Sequence, residues 1–262
     1  MSFTNKKLKD VYRDILHTDN SNSGISTSLK QIKCGDGDAT ALHLSTNAAK
    51  VQPASDSTAN TAIYDADGNA LFTVDSTNDL VKAGVGQHIV NTQYHKFQLG
   101  QTAGQGATAG LHTLLSGAGG LFDDGLALGT PSNMGTGTDP ATSLTLSNNA
   151  FSQLRYFWYI HYNISIDAVH SLEAADAADG DTTRFHLMEY DYTDGSANVL
   201  TNGSLVAHSA DQVNAGYEQM YYNTWTIDSA NISSGKVILC TMEADTVNSD
   251  YVADVTVKYH LR

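Results

Sequence analysis

"RYFWYIHYNISI", residues 155–166, decides the fold class. Tyr156, Trp158, Ile160, Tyr162, Ile164 and Ile166 recur at every second position, against Arg155, Phe157, Tyr159, His161, Asn163 and Ser165. A period of two is strand geometry, because successive side chains on a strand point to opposite faces. One face is apolar throughout and the other is mixed, so the run predicts a strand with one buried side. "FHLMEYDY" (185–192), "QMYYNTWTI" (219–227), "KVILCTME" (236–243) and "VADVTVKYHL" (252–261) share the β-prone composition, and Asp-Gly, Asn-Gly and Ser-Gly turns divide them. In the last, Val255, Val257, Tyr259 and Leu261 are expected inward, with Thr256, Lys258 and His260 outward. Strands at this spacing predict an antiparallel β-sandwich over 144–262, jelly-roll-like, whose final two strands form a hairpin across "ADTVNSDY" (244–251).

Upstream the pattern changes. Residues 35–99 carry short apolar runs between turn signals: "CGDGDATALHLST", "AIYDADGNALFTVDSTNDLV" and "HIVNTQYHKFQLG". They predict short strands joined by Asp-Gly and Asn turns. "DATALHLSTNAAKV" (38–51) echoes "DGNALFTVDSTNDLV" (67–81), a weak internal repeat. A unit this small cannot cover both faces of its strands, so stacking on neighbours or on other copies of the chain is expected. Eleven of the 22 glycines fall within residues 100–140, a density costly to order, so 100–143 reads as a connector or assembly loop with a short amphipathic piece near "LHTLL".

Composition bounds the function. The 262 residues carry a net charge of −14, which argues against a nucleic-acid partner, since phosphate contacts need a Lys and Arg surface. Residues 1–33 run the other way, with Lys6, Lys7, Lys9, Arg13, Lys30 and Lys33 against Asp10, Asp14 and Asp19. The basic arm, within 1–34, either docks on an acidic partner surface or is a solvated terminus. No apolar run is long enough to span a membrane and no signal peptide is read at "MSFTNKKLKD", so synthesis in a cytoplasm without membrane insertion is expected. Cys34 and Cys240 are expected as free thiols, Cys240 as a small buried hydrophobe.

Catalytic and metal signals fail on inspection. "YDADGNALF" sets Asp65, Asp67, Gly68 and Asn69 like the start of a calcium loop, but the twelfth position is Ser76 where a bidentate glutamate is needed. A turn is the better reading, and the acidic stretches "CGDGDA" and "DAADGDT" read as solvated hairpins. Ten histidines occur without HExxH or CxxC, no GxSxG elbow is present, and Glu173, Glu189, Glu218 and Glu243 stand in no distinctive motif. No catalytic residue, metal or cofactor is therefore assigned.

The aromatics carry more. Phe157, Tyr159 and His161 on the mixed face of the opening strand, with Trp225 in "YEQMYYNTW", are candidates for stacking on sugar rings or for filling a subunit interface. Cover by a second layer, as ordinary core, is the alternative.

"LKDVYRDILHTDNSNSGISTSLKQIKCGDGDATALHLST" followed by "AIYDADGNALFTVDSTNDLV", roughly residues 7–81, resembles the amino-terminal region of virion appendage proteins of marine tailed phages such as cyanophages. There a leader with Ile-Leu-His, an Asn-rich turn, Gly-x-Gly and Ala-Leu-x-Leu-Ser precedes a variable β-rich body. The resemblance implies a non-enzymatic structural protein of the virion, a tail fibre or capsid decoration, built as a homotrimer and attached to other virion proteins by its amino terminus. Lys6, Lys7, Lys9 and Arg13 then become the docking residues. It also leaves open a host-surface carbohydrate-binding role. The long β-helix repeats of polysaccharide-cleaving tailspikes are missing, which weighs against depolymerase activity.

Overall fold

"KVILCTMEA" (Lys236–Ala244) is apolar without alternation, unlike the run that opens the sandwich, and its place explains why. The structure, a computed structural model, describes residues 15–18, 23–100, 112–115, 140–144, 156–176, 180–215, 219–245 and 250–262. The chain divides into two units, Met1–Val90 and Asn91–Arg262. The fold is all-β.

The first unit holds two antiparallel sheets of four strands. One is β1 (His17–Thr18), β2 (Lys30–Lys33), β3 (Ala39–Leu44) and β4 (Ala49–Val51); the other is β5 (Thr61–Tyr64), β6 (Ala70–Asp75), β7 (Leu80–Ala83) and β8 (His88–Ile89). Each follows chain order as a meander, and the echoing stretches fall on the β3–β4 and β6–β7 hairpins. Residues 15–18 and 23–34, expected within the attachment arm, thus supply two strands of the first meander. Lys6, Lys7, Lys9 and Arg13 lie outside the described residues.

The calcium-like stretch is the β5–β6 turn. Asp65 Oδ1 accepts the N–H groups of Asp67 (3.0 Å) and Asn69 (2.8 Å), Oδ2 accepts Asn69 Nδ2 (2.9 Å), and Gly68 takes φ +83°. In the β6–β7 hairpin, buried Asp75 accepts from Asn78 and from Lys82 Nζ at 2.9 Å. The Asn78 amide first, then the Lys82 ammonium, hold its carboxyl down at about 2.

Apolar cover is thin in this unit. Ile32 is its one buried apolar side chain among the described residues, while Leu16, Ile25, Val51, Ile63, Val85 and Val90 are exposed.

The second unit is a sandwich. Its strands are β9 (Thr92–Gly100), β10 (His112–Leu114), β11 (Trp158–Tyr159), β12 (Ile164–Asp176), β13 (Thr182–Tyr192), β14 (Leu200–His208), β15 (Gln212–Val213), β16 (Gln219–Thr224), β17 (Thr226–Ile227), β18 (Asn231–Ile232), β19 (Lys236–Ala244) and β20 (Asp250–Leu261). One sheet runs β10-β19-β13-β14-β17, with β11 on β19 and β15 on β13; the other runs β16-β12-β20-β9, with β18 on β12. From β16 to β20 each strand changes sheet, the interleaving of a jelly-roll-like sandwich.

Between the sheets lies one core, with Phe97, Ile166, Val255 and Val257 from one side and Phe185, Leu187, Ile238 and Cys240 from the other. A second cluster covers the far face of β19 and β13, where Leu239, Met188 and Tyr190 meet Leu144, Tyr156 and Leu200. β19 is therefore buried on both faces, and an uninterrupted apolar run is what such a strand requires. Cys240 lies wholly inside, its thiol pushed well up by burial, and both cysteines are free.

The sequence expectations need four corrections. First, β9, read as part of the short-strand region 35–99, pairs with β20 from Thr92↔His260 to Gly100↔Val252. Phe97 and Leu99 complete the core face that Ala253, Val255 and Val257 begin, a pairing across more than 150 positions that local patterning does not encode.

Second, β19 and β20 form no hairpin. β19 pairs with β13, β10 and β11, and β20 with β12 and β9, so they face each other across the core.

Third, the opening run is two strands in two sheets. Trp158 and Tyr159 pair with β19, whereas Ile164 onward pairs with β20 and β18. The crossing at 160–163 is pinned by Ile160 N–H to Lys236 O (2.9 Å), Gly235 N–H to Ile160 O (2.8 Å) and Ser234 N–H to Asn163 Oδ1 (2.9 Å). Tyr162, expected inward, is consequently 71% exposed.

Fourth, His260, expected outward, is buried. A bulge between Ile166 and Ala168 leaves Asp167 over, and His260 Nδ1 pairs with Asp167 Oδ1 at 2.9 Å. The bulge also shifts the inward parity of β12, bringing Val169, Ser171 and Glu173 into the interior.

Candidate functional site

The crossing from β11 to β12 opens a cleft. Gln93, Trp158, Tyr159, Ile160, His161, Tyr162, Ile164, Tyr259 and Leu261 line about 300 Å³ of space. β9 and β20 supply Gln93 and Tyr259 side by side, as register partners. β11 supplies Trp158 and Tyr159, and the irregular turn behind it supplies His161 and Tyr162.

The rings are held by one another. Tyr159 meets His161 edge to face at 4.9 Å between centroids and Tyr192 at 5.8 Å. Trp158 tilts against Tyr259 at 5.0 Å and is stacked on His95 at 4.2 Å, nearly parallel. His95 Nε2 is buried without a protein partner, and burial depresses that imidazole to about 4. The layer beneath Trp158 is therefore uncharged at neutral pH. Tyr259 Oη donates to Gln93 Oε1 at 2.9 Å, and burial pushes its phenol up.

No Asp, Glu, Lys or Arg lines the cleft. What it offers is aromatic surface with polar tips: two phenols standing well into solvent, Tyr159 at 41% and Tyr162 at 71% exposure, the exposed His161 imidazole and the exposed Gln93 amide. Stacking and neutral hydrogen bonding are the chemistry available.

Of the residues singled out from sequence, the structure brings Tyr159 and His161 together here. Phe157, their expected neighbour, packs on the second hydrophobic cluster instead. Trp225 is no surface residue: it is 5% exposed, its indole Nε1 donates to Ser171 Oγ at 3.0 Å, and it stacks on Phe185 at 5.7 Å. Trp225 N–H donates to Val169 O, which draws the side chain inward against β12. Sequence reasoning missed Tyr162, Trp158 and Tyr259 as cleft residues because strict alternation made all of them core. The available signal was Asn163, a turn-prone residue inside an otherwise β-prone run.

No family model matches the sequence, and no curated protein matches it. Among solved structures the chain is similar to Eiger TNF from S. frugiperda, at 10% identity over 63% of this chain and 92% of that one, with a TM-score of 0.25. Turnip Yellow Mosaic Virus follows at 10% identity, covering 65% of this chain and 92% of that one, with a TM-score of 0.20. The infectious bursal disease virus Gx strain gives 11% identity, 74% and 72% coverage, and a TM-score of 0.14. None of these likenesses bears on function.

Two other features are plain. Among the described residues no group of three or more His, Cys, Asp or Glu is placed to hold a metal ion. No helix among them is long and apolar enough to cross a membrane.

Proposed function

We propose that the chain is a non-enzymatic structural subunit of a phage virion, a tail-fibre or capsid-decorating appendage that assembles as a homotrimer and attaches through its amino-terminal region. The observation that carries this reading is the contrast between the two units. The sandwich closes its own core, whereas the two meanders of the first unit bury Ile32 and leave Leu16, Ile25, Val51, Ile63, Val85 and Val90 exposed. Small sheets that bury so little apolar surface are not stable alone and gain cover by association. Other copies of the same chain supply that cover at no cost in new sequence, and closed symmetry limits the assembly. The resemblance of residues 7–81 to phage appendage leaders supports a virion as the setting.

Attachment falls to the basic arm, whose Lys6, Lys7, Lys9 and Arg13 oppose the acidic balance of the chain. Protein lacking residues 1–14, which removes all four basic residues and leaves β1 in place, is expected to remain folded and trimeric but to fail to enter particles. Normal incorporation of that truncation refutes docking by the arm.

A further inference from the structure

We propose that the aromatic cleft of the sandwich is a binding site for a neutral saccharide. This goes beyond the structural role above and does not depend on it.

The lining selects the ligand class. A sugar ring presents C–H faces that pack on aromatic rings and equatorial hydroxyls that need neutral donors and acceptors at the ring edge. The cleft has both: Tyr159, Tyr162, Trp158 and Tyr259 as surfaces, with the Gln93 amide, the phenol tips and His161 around them. Gln93 Oε1 is taken by the Tyr259 hydroxyl, which leaves the amide nitrogen to donate outward.

Charge removes the closest competitors. Nucleobases also stack on such rings, but they bring phosphates, and here no cation lines the cleft and the chain carries −14. Uronate or sialic acid groups meet the same repulsion, with no Lys or Arg among the lining residues to offset it. A purely aliphatic ligand leaves four polar tips unmatched.

Geometry favours binding over mere exposure. Tyr159 is wedged between His161 and Tyr192, and Trp158 between His95 and Tyr259, so these rings are already ordered and little freedom is lost on complex formation. The volume, about 300 Å³, sits at the lower end for small-molecule clefts and suits a short saccharide segment.

The test is a glycan array carrying neutral hexose and N-acetylhexosamine oligosaccharides beside sialylated and uronate-bearing ones, probed with the full-length protein. Hits are then titrated in solution by ligand-observed NMR. At least one neutral oligosaccharide is expected to bind, weakened about tenfold or more by Tyr162→Ala and by Tyr159→Ala. Tyr159→Phe keeps the stacking ring and is expected to retain most of the affinity. Tyr94→Ala, an exposed aromatic on β9 outside the cleft, is expected to change nothing. The proposal is overturned if no neutral saccharide binds, if the charged glycans bind more tightly than neutral ones, or if binding survives Tyr159→Ala and Tyr162→Ala together. None of these outcomes touches the virion reading, which is tested by assembly and particle incorporation.

Discussion

Thr183 Oγ1 donates a 2.8 Å hydrogen bond to Glu173 Oε2, tying β13 of one sheet to β12 of the other inside the sandwich. Glu173 is 3% exposed and also accepts Asn223 Nδ2 at 3.1 Å. Burial raises its carboxyl from the usual 4.5 to about 7, more than the two hydrogen bonds lower it.

The sign of the resulting pH effect follows from linkage. Below pH 4.5 both folded and unfolded chains hold the proton; between 4.5 and about 7 only the unfolded chain loses it, so the Glu173 contribution to stability falls as pH rises, then stays level. Glu173→Gln keeps the polar contacts without the charge. It is expected to match the parent near pH 4.5 and to exceed it at pH 8, by at most about 3 kcal/mol, in urea unfolding. Equal stability at pH 8 contradicts the buried-carboxylate account.

The buried imidazoles act in the opposite direction. His95 and His186 are both depressed from 6.5 to about 4, His95 by burial and His186 by burial first and then by the charges of His112 and Arg184. Their contribution is complete above pH 6.5 and is lost as pH falls toward 4, because unfolding then takes up protons. His95→Phe retains a ring on Trp158 and removes one of these groups. Thermal unfolding of that variant is expected to be less sensitive to pH between 6.5 and 4 than that of the parent; an unchanged pH dependence refutes the assignment.

Gly203 is a packing requirement of the second cluster. A Cβ there would stand 2.5 Å from Tyr190 Cε1 and 2.9 Å from Thr142 Cα, while Gly203 N–H donates to Thr142 O at 2.8 Å. Tyr190, in turn, donates its hydroxyl to Ala141 O at 2.7 Å, so it has little room to yield. Gly203→Ala is expected to cost about 1–3 kcal/mol in chemical denaturation. A neutral substitution shows that the 140–144 segment does not pack as described.

Trp225→Ala is expected to behave as a core truncation, costing about 3–5 kcal/mol and leaving Ser171 Oγ without its indole donor. At temperatures where the variant is folded, saccharide affinity is expected to be unchanged. A selective loss of binding without loss of stability restores Trp225 to the surface.

Fold class was legible because it rests on local periodicity. Alternation in "VADVTVKYHL" correctly placed Val255 and Val257 inward, and the unbroken run around Cys240 marked a buried strand. Pairing was less legible, since β9 finds β20 through complementary apolar faces that are distant in sequence. Parity failed where the backbone stops being regular: beside the Asp167 bulge His260 is buried instead of outward, and the crossing at 160–163 turned Tyr162 outward. The site shares this limit. Tyr159 and His161 were visible as exposed aromatic candidates, but their companions Trp158, Tyr162 and Tyr259 required knowing where the chain changes sheets.

Self-association is the claim on which the structural role stands, and native mass spectrometry of the full-length protein tests it most directly. The account predicts a species of three times the 28.0 kDa chain mass that persists on dilution, with no folded monomer beside it. A stable folded monomer at every concentration contradicts it, because the thinly covered sheets of the first unit then need no partner.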